Sequence, residues 1–241
     1  MVTAPLIEIF SSLQGEGPHV GEPMTFVRFQ DCELSCKFCD TPLSFVKNKN
    51  FRIEWPPFSK KFEREPNPVT VDRLNEILKR YTDPTISITG GEPLQKSPFL
   101  KVWLPTLKKM RPIQILLETA GVHWEALDEI IPMIDIVSMD FKLPSSTGMR
   151  GYWKEHEQFL KIASQKEVYV KIVITAETDE AEVEESVRLL KNFPKVACIL
   201  QPASAFGRFK AIPTSEQIHN FQKIVPQARV IPQLHKQLGI L

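Results

Sequence analysis

The segment Cys32-Glu33-Leu34-Ser35-Cys36-Lys37-Phe38-Cys39 holds three thiols, separated by three residues and then by two. Three thiolates on one loop can grip one face of an iron–sulfur cube. Cubane clusters normally take four cysteine ligands, so a triad leaves one iron open to a substrate or cofactor, as catalytic metal sites keep an open position. Two other readings suit clustered cysteines. Zinc needs a fourth ligand at regular spacing, and the nearest candidates, His19 and Asp40, sit poorly for it. A disulfide leaves one of the three cysteines over and belongs to an oxidising compartment. The remaining cysteine, Cys198, lies in the apolar run Val196-Ala197-Cys198-Ile199-Leu200 and reads as a buried strand residue.

A second motif, Thr89-Gly90-Gly91-Glu92-Pro93, removes two Cβ atoms where a strand ends. Backbone can then approach a ligand closely, and Pro93 restricts Glu92 to an extended conformation. The elements that must position these motifs alternate along the chain. Apolar β-rich runs predict strands at Met24–Phe29, Thr85–Thr89, Gln114–Glu118, Ile134–Met139, Val168–Thr175 and Val196–Gln201. Amphipathic runs between and after them predict helices near Val71–Tyr81, Ser97–Met110, His123–Ile131, Tyr152–Gln165, Asp179–Asn192 and Ser215–Ile224. Strand followed by helix, repeated in this way, predicts an α/β fold with a parallel sheet and right-handed crossovers. Six units are too few for a closed eight-stranded barrel, so the expectation is a partial, TIM-like (β/α)6 barrel. Unusual polar and glycine residues fall at the C-terminal ends of these strands, including Glu118-Thr119, Ser138 to Lys142 and Gln201-Pro202. Any one alone reads as a cap or turn. Together they converge on the face that carries active sites in parallel α/β barrels.

The 241 residues are 42% hydrophobic, enough for a sizeable core, and the net charge of +1 gives no pull toward nucleic acid or an anionic membrane. Met1–Ser12 lacks the pattern of a signal peptide, and no apolar run approaches a membrane span of roughly 18 residues. A cytoplasmic enzyme with reduced thiols is expected. Ser44–Pro68 breaks the alternation with four prolines, five aromatics and a local excess of basic residues: Lys47, Lys49, Arg52, Lys60, Lys61 and Arg64 against Glu54, Glu63 and Glu65. It is expected to be an irregular insertion, and a lid, a docking surface or a solvated loop all fit its composition.

The cysteine loop resembles the cluster motif of radical S-adenosylmethionine (SAM) enzymes, and Thr89–Pro93 resembles their SAM amino-group motif. A narrower resemblance, to the 7-carboxy-7-deazaguanine synthase family, covers nearly the whole chain. It rests on Ser12-Leu13-Gln14-Gly15-Glu16-Gly17, Arg28, Cys39-Asp40-Thr41, Glu118-Thr119-Ala120-Gly121, Ser138-Met139-Asp140-Phe141-Lys142, Gln201-Pro202 and Pro232-Gln233-Leu234-His235-Lys236. That resemblance implies a single radical SAM domain over residues 1–241, interrupted at about 44–68. The family converts 6-carboxy-5,6,7,8-tetrahydropterin to 7-carboxy-7-deazaguanine with loss of ammonia, using SAM, a [4Fe–4S] cluster and Mg2+, commonly as a homodimer. Carried onto these positions, Cys32, Cys36 and Cys39 hold the cluster and Thr41 offers a hard oxygen to Mg2+. Leu13, Gln14, Gly15, Arg28 and Thr89 face the pterin, with Arg28 as a planar fork for its carboxylate. Phe38, Cys39, Asp40, Gly91, Ser138, Asp140, Lys142 and Gln201 face SAM. The resemblance also implies an electron donor of flavodoxin type. It leaves the role of His235 open, and His19, His123, His156 and His219 carry no ligand spacing. A glycyl-radical activase shares the cysteine spacing and partial barrel but has no need of the Ser12–Gly17 start or of Arg28. A metal-binding module without catalysis has no need of the Thr89–Pro93 loop.

Overall fold

The computed structural model describes residues 2–205 and 209–240. In chain order the strands are β1 (Thr3–Ala4), β2 (Leu6–Leu13), β3 (Pro23–Phe29), β4 (Asn50–Glu54), β5 (Phe62–Pro66), β6 (Val69–Thr70), β7 (Thr85–Gly90), β8 (Gln114–Thr119), β9 (Ile136–Phe141), β10 (Glu167–Ile174), β11 (Ala197–Pro202) and β12 (Arg229–Val230). The helices are α1 (Val71–Leu78), α2 (Ser97–Met110), α3 (Trp124–Ile130), α4 (Pro144–Thr147), α5 (Trp153–Ala163), α6 (Glu180–Leu190), α7 (Ser215–Ile224) and α8 (Leu234–Leu238). Strands β3, β7, β8, β9, β10, β11 and β12 lie parallel and adjacent, each joined to the next through helix. This is the expected partial α/β barrel. Six of its strands match the predicted ones to within about two residues at each end, and the short β12 adds a seventh that the sequence did not suggest.

Two larger parts of the sheet were not anticipated either. Strand β2 runs antiparallel to β3, and a hairpin of β4 and β5 extends the ten-stranded sheet beyond it, β4 pairing parallel to β2. Ser44–Pro68 is therefore no irregular excursion. Phe51 and Ile53 bury themselves in the outer core, and the Asn67 side chain accepts from Leu6 N at 2.9 Å while donating to Leu6 O at 2.7 Å, like a missing strand partner. Of the segment's basic residues, Arg52 pairs with Glu8, while the acids Glu65 and Glu63 pair with arginines outside the segment, Arg73 of α1 and Arg80.

Alternation along each strand splits the sheet into two faces. Outward residues such as Ile9, Val27, Ile88, Leu117, Val137 and Ile172 join the helices in one large core. Inward residues Phe10, Met24, Phe26, Leu116, Ile136, Tyr169, Ile199 and Ile231 form a second, smaller core inside the barrel. One or two steps further along the same strands the inward positions become Arg28, Thr89, Glu118, Asp140, Lys171 and Gln201. The barrel is plugged at one end and polar at the other.

Candidate active site

The polar end opens into a cavity of about 570 Å³. Its wall includes the three loop cysteines with Phe38, Asp40 and Thr41; Leu13, Gln14, Gly15, Arg28 and Thr89; and Gly91, Asp140, Lys142 and Gln201. Among the predicted site residues only Ser138 is elsewhere. It shares the inner face of β9 with Asp140 but sits one layer deeper, buried opposite Glu118 and Tyr169. Cys198 is buried in the outer core, away from the loop thiols.

The cysteine loop is held from both sides. Gly91 N donates to Phe29 O at 3.0 Å and Glu92 N to Asp31 O at 2.9 Å, while Lys37 N donates to Thr147 O at 3.2 Å. This closeness explains the glycine pair differently from the expectation. A Cβ at Gly90 would overlap the Phe29 backbone and one at Gly91 the Asp31 carbonyl, so the glycines admit the protein's own cysteine loop. Glu92 then locks the turn. Fully buried, it accepts from Thr119 Oγ1 at 2.8 Å, Ala120 N at 2.8 Å and Leu94 N at 3.0 Å, and burial raises its pKa. Gly15 likewise makes room for the His235 ring, and Leu234 N donates to Gly15 O at 2.8 Å. The C-terminal tail thus closes over the mouth, with Lys236 pairing Asp40 at 2.9 Å and Gln233 donating to Glu16 at 2.7 Å.

The electrostatics divide the cavity. On β9 and β10, Lys142 pairs with Asp140 at 3.0 Å, and Lys171 lies 3.5 Å from Asp140 while bonding Glu16. Burial pushes the Asp140 carboxyl up, but Lys142 and Lys171 outweigh it and its pKa ends low. Burial alone would lower Lys171, yet Asp140 and Glu16 hold it well above the usual range. Opposite, Glu118 gathers donors: Gln14 Nε2 at 3.1 Å, Ser87 Oγ at 2.8 Å and Thr89 Oγ1 at 3.2 Å. Glu16, Glu118, Lys171 and Gln233 also line the cavity, although sequence reasoning did not select them. For Lys171 a signal existed, a lone charge at an inward position of an apolar strand.

The donor set suits the implied groups. All three loop cysteines are free thiols beside one cavity, with the Lys142 ammonium 5.4 Å from the Phe38 ring centroid. Burial pushes Cys32 up to about 12 and raises Cys36 and Cys39, so only a bound metal would hold them as thiolates. Among the described residues no three Cys, His, Asp or Glu side chains form a preformed metal cage. Gln201 Oε1 is a buried acceptor on this cavity without a hydrogen-bond donor, and Asp140 Oδ1 has only the Lys171 ammonium, 3.5 Å away. Buried acceptors call for a ligand with donors, and the ammonium, hydroxyls and adenine amine of SAM supply them.

Comparison with known proteins gives concordant results. The Radical SAM superfamily profile matches residues 26–190. A 7-carboxy-7-deazaguanine synthase from Geobacter sulfurreducens is 36% identical over 99% of this chain and 98% of its own length. One from Methanopyrus kandleri is 34% identical over 97% of this chain and 93% of its own. The crystal structure of QueE from Escherichia coli shares the fold, with a TM-score of 0.65 at 22% identity, over 98% of this chain and 96% of that one. Among the described residues no helix is long and apolar enough to cross a membrane.

Proposed function

Since the chain belongs to the radical SAM superfamily and, within it, to the 7-carboxy-7-deazaguanine synthase family, we propose that it is a single-domain radical SAM lyase. It converts 6-carboxy-5,6,7,8-tetrahydropterin to 7-carboxy-7-deazaguanine with loss of ammonia, on the route to queuosine and other 7-deazapurines of tRNA. The observation that carries this reading is the convergence of the cysteine triad, Arg28, the Asp140 carboxylate and the unpaired acceptor Gln201 Oε1 on one cavity. A [4Fe–4S] cluster with an open iron, together with SAM, supplies one-electron chemistry there.

The chain's own residues do the rest. Cys32, Cys36 and Cys39 hold the cluster. Phe38, Asp40, Gly91, Asp140, Lys142 and Gln201 bind SAM, and Ser138 supports them from the layer below. Leu13, Gln14, Gly15 and Thr89 position the pterin, while Arg28 binds its carboxylate by charge-assisted hydrogen bonds. Thr41, bonded to Asp40 at 3.2 Å, offers an oxygen to Mg2+, which keeps most of its coordination for water and substrate. The tail from Gln233 to Lys236 excludes water from the mouth. A homodimer in the cytoplasm, with a flavodoxin-type electron donor, completes the reading. The glycyl-radical activase alternative is not favoured, because the named relatives match end to end.

The test is anaerobic turnover of reconstituted protein with SAM, reductant and carboxytetrahydropterin. A 7-deazapurine carboxylate and ammonia are expected. SAM cleavage without either product, across a range of reductants, would overturn the assignment.

A further inference from the structure

The β4–β5 hairpin carries a charge to the substrate end of the cavity. Its parallel pairing sets Arg52 opposite Glu8; Glu8 lies opposite Arg28, and Arg28 opposite Thr89. These side chains share the inner face of the sheet in one row. Glu8, buried at 8% exposure, divides its carboxylate. Its Oε1 accepts from Arg28 Nε at 3.0 Å and its Oε2 from Arg52 Nη2 at 2.5 Å. Two guanidiniums on one carboxylate leave one net positive charge. Without Arg52, Glu8 and Arg28 would cancel. Both guanidiniums line the main cavity, and Arg52 also forms the wall of an adjoining cavity of about 270 Å³ that holds Lys49 and Arg64. The Phe62 ring, 4.6 Å from the Arg52 guanidinium carbon, supports it from the hairpin.

We propose that Arg52 is a positioning residue that sets specificity for an anionic substrate. By engaging Glu8, it leaves Arg28 the uncompensated charge that binds the substrate carboxylate. This rests on Arg28 being the carboxylate clamp, so the test must separate the two. A purely structural Arg52, fastening the hairpin to β2, would affect charged and uncharged ligands alike. An electrostatic Arg52 affects only the charged one.

The experiment measures equilibrium binding of pterin-6-carboxylate and of its uncharged carboxamide to reconstituted protein with SAM, by pterin fluorescence. Arg52→Met is expected to weaken the carboxylate roughly tenfold, the scale of one nearby charge lost at a partly solvated surface. The carboxamide should be unaffected, and Arg52→Lys should retain most of the preference. Adding Glu8→Gln to Arg52→Met restores one net positive charge and should recover the preference for the carboxylate. If Arg28→Met abolishes that preference while Arg52→Met leaves it intact, the role of Arg52 is overturned and the clamp stands. If Arg28→Met leaves the preference intact, the clamp itself is wrong. Equal weakening of both ligands by Arg52→Met, without recovery in the double variant, makes Arg52 structural and overturns the proposal.

Discussion

Replacing Lys171 with methionine keeps most of the side chain's volume and removes one buried charge. In the wild type the ammonium bonds Glu16 and lies 3.5 Å from Asp140, which is itself 3.0 Å from Lys142. The variant leaves two buried carboxylates facing a single ammonium. Stranding a buried charge by deleting its partner costs about 3–5 kcal/mol. Glu16 retains its bond from Gln233 at 2.7 Å and Asp140 retains Lys142, so a loss near 3 kcal/mol is expected, at the lower end of that range. With Lys171 only 3% exposed, solvent screening takes little from this figure.

The loss should carry a pH signature. Burial pushes the Glu16 carboxyl up, but Lys171 and its other partners together hold it low. A depressed carboxylate contributes stability above its unfolded pKa, and that contribution is lost as pH falls. Without Lys171 the burial effect dominates, and the folded-state pKa rises above the unfolded value of about 4.3. The folded protein then holds the proton more tightly than the unfolded chain, so stability falls as pH rises through this window. The deficit of Lys171→Met should therefore deepen from about pH 5 toward neutrality. Urea denaturation of the wild type, Lys171→Met, Glu16→Gln and the double variant measures it, with unchanged m-values guarding the comparison. The double variant should recover part of the loss, a coupling of about 2 kcal/mol. A deficit below about 1 kcal/mol without pH dependence, and additive variants, would refute the buried-network account.

Three other outcomes follow from the same geometry. Cys198→Ala should keep its iron and brown colour after reconstitution, while Cys36→Ala should lose both; iron analysis and visible absorbance decide. Gly91→Ala drives a Cβ into the Asp31 carbonyl, so thermal unfolding should show a loss of about 2 kcal/mol or more, with poor iron uptake. His156 donates from Nε2 to Ala120 O at 3.2 Å, and burial pushes its pKa down to about 3. The unfolded chain takes that proton near pH 6.5, so stability should fall as pH drops from there toward 3, by about 2 kcal/mol at pH 5. His156→Gln should remove that share of the slope, and an unchanged slope would mean that the folded protein accepts the proton.

The repeating units were legible because each crossover helix carries an apolar stripe and each parallel strand a β-branched core. Strand β2 was not, because Leu6–Leu13 mixes Glu8, Ser11 and Ser12 into a segment buried on both faces, which gives no simple alternation. The hairpin hid for a related reason. Its proline-rich, charged composition resembles a loop, while its pairing depends on Phe51 and Ile53 finding a core made elsewhere. At the site, the cysteine spacing could be read from residue types alone, whereas Arg28 stands out only through the family resemblance. The division of Glu8 between two arginines, and Lys171 between Glu16 and Asp140, joins residues as many as 155 positions apart. The reason for Gly90 and Gly91 also needed the fold, since their neighbour is backbone rather than ligand.

The two ends of the barrel interior explain why a reactive site can coexist with a stable sheet. The same strands supply both, and only height along the strand distinguishes Phe26 from Arg28, or Ile199 from Gln201. A substitution in the lower layer would act on stability through packing, whereas one in the upper layer acts through charge. The upper layer is costly to bury, so its groups are paired across neighbouring elements: Arg52, Glu8 and Arg28 on one side, Glu16, Lys171, Asp140 and Lys142 on the other. The tail ties into this upper layer at two points, Gln233 bonding Glu16 and Lys236 pairing with Asp40 beside the last loop cysteine. Loosening the tail would therefore unsettle the Glu16–Lys171–Asp140 network and the cysteine loop together, although it contributes none of the three thiols.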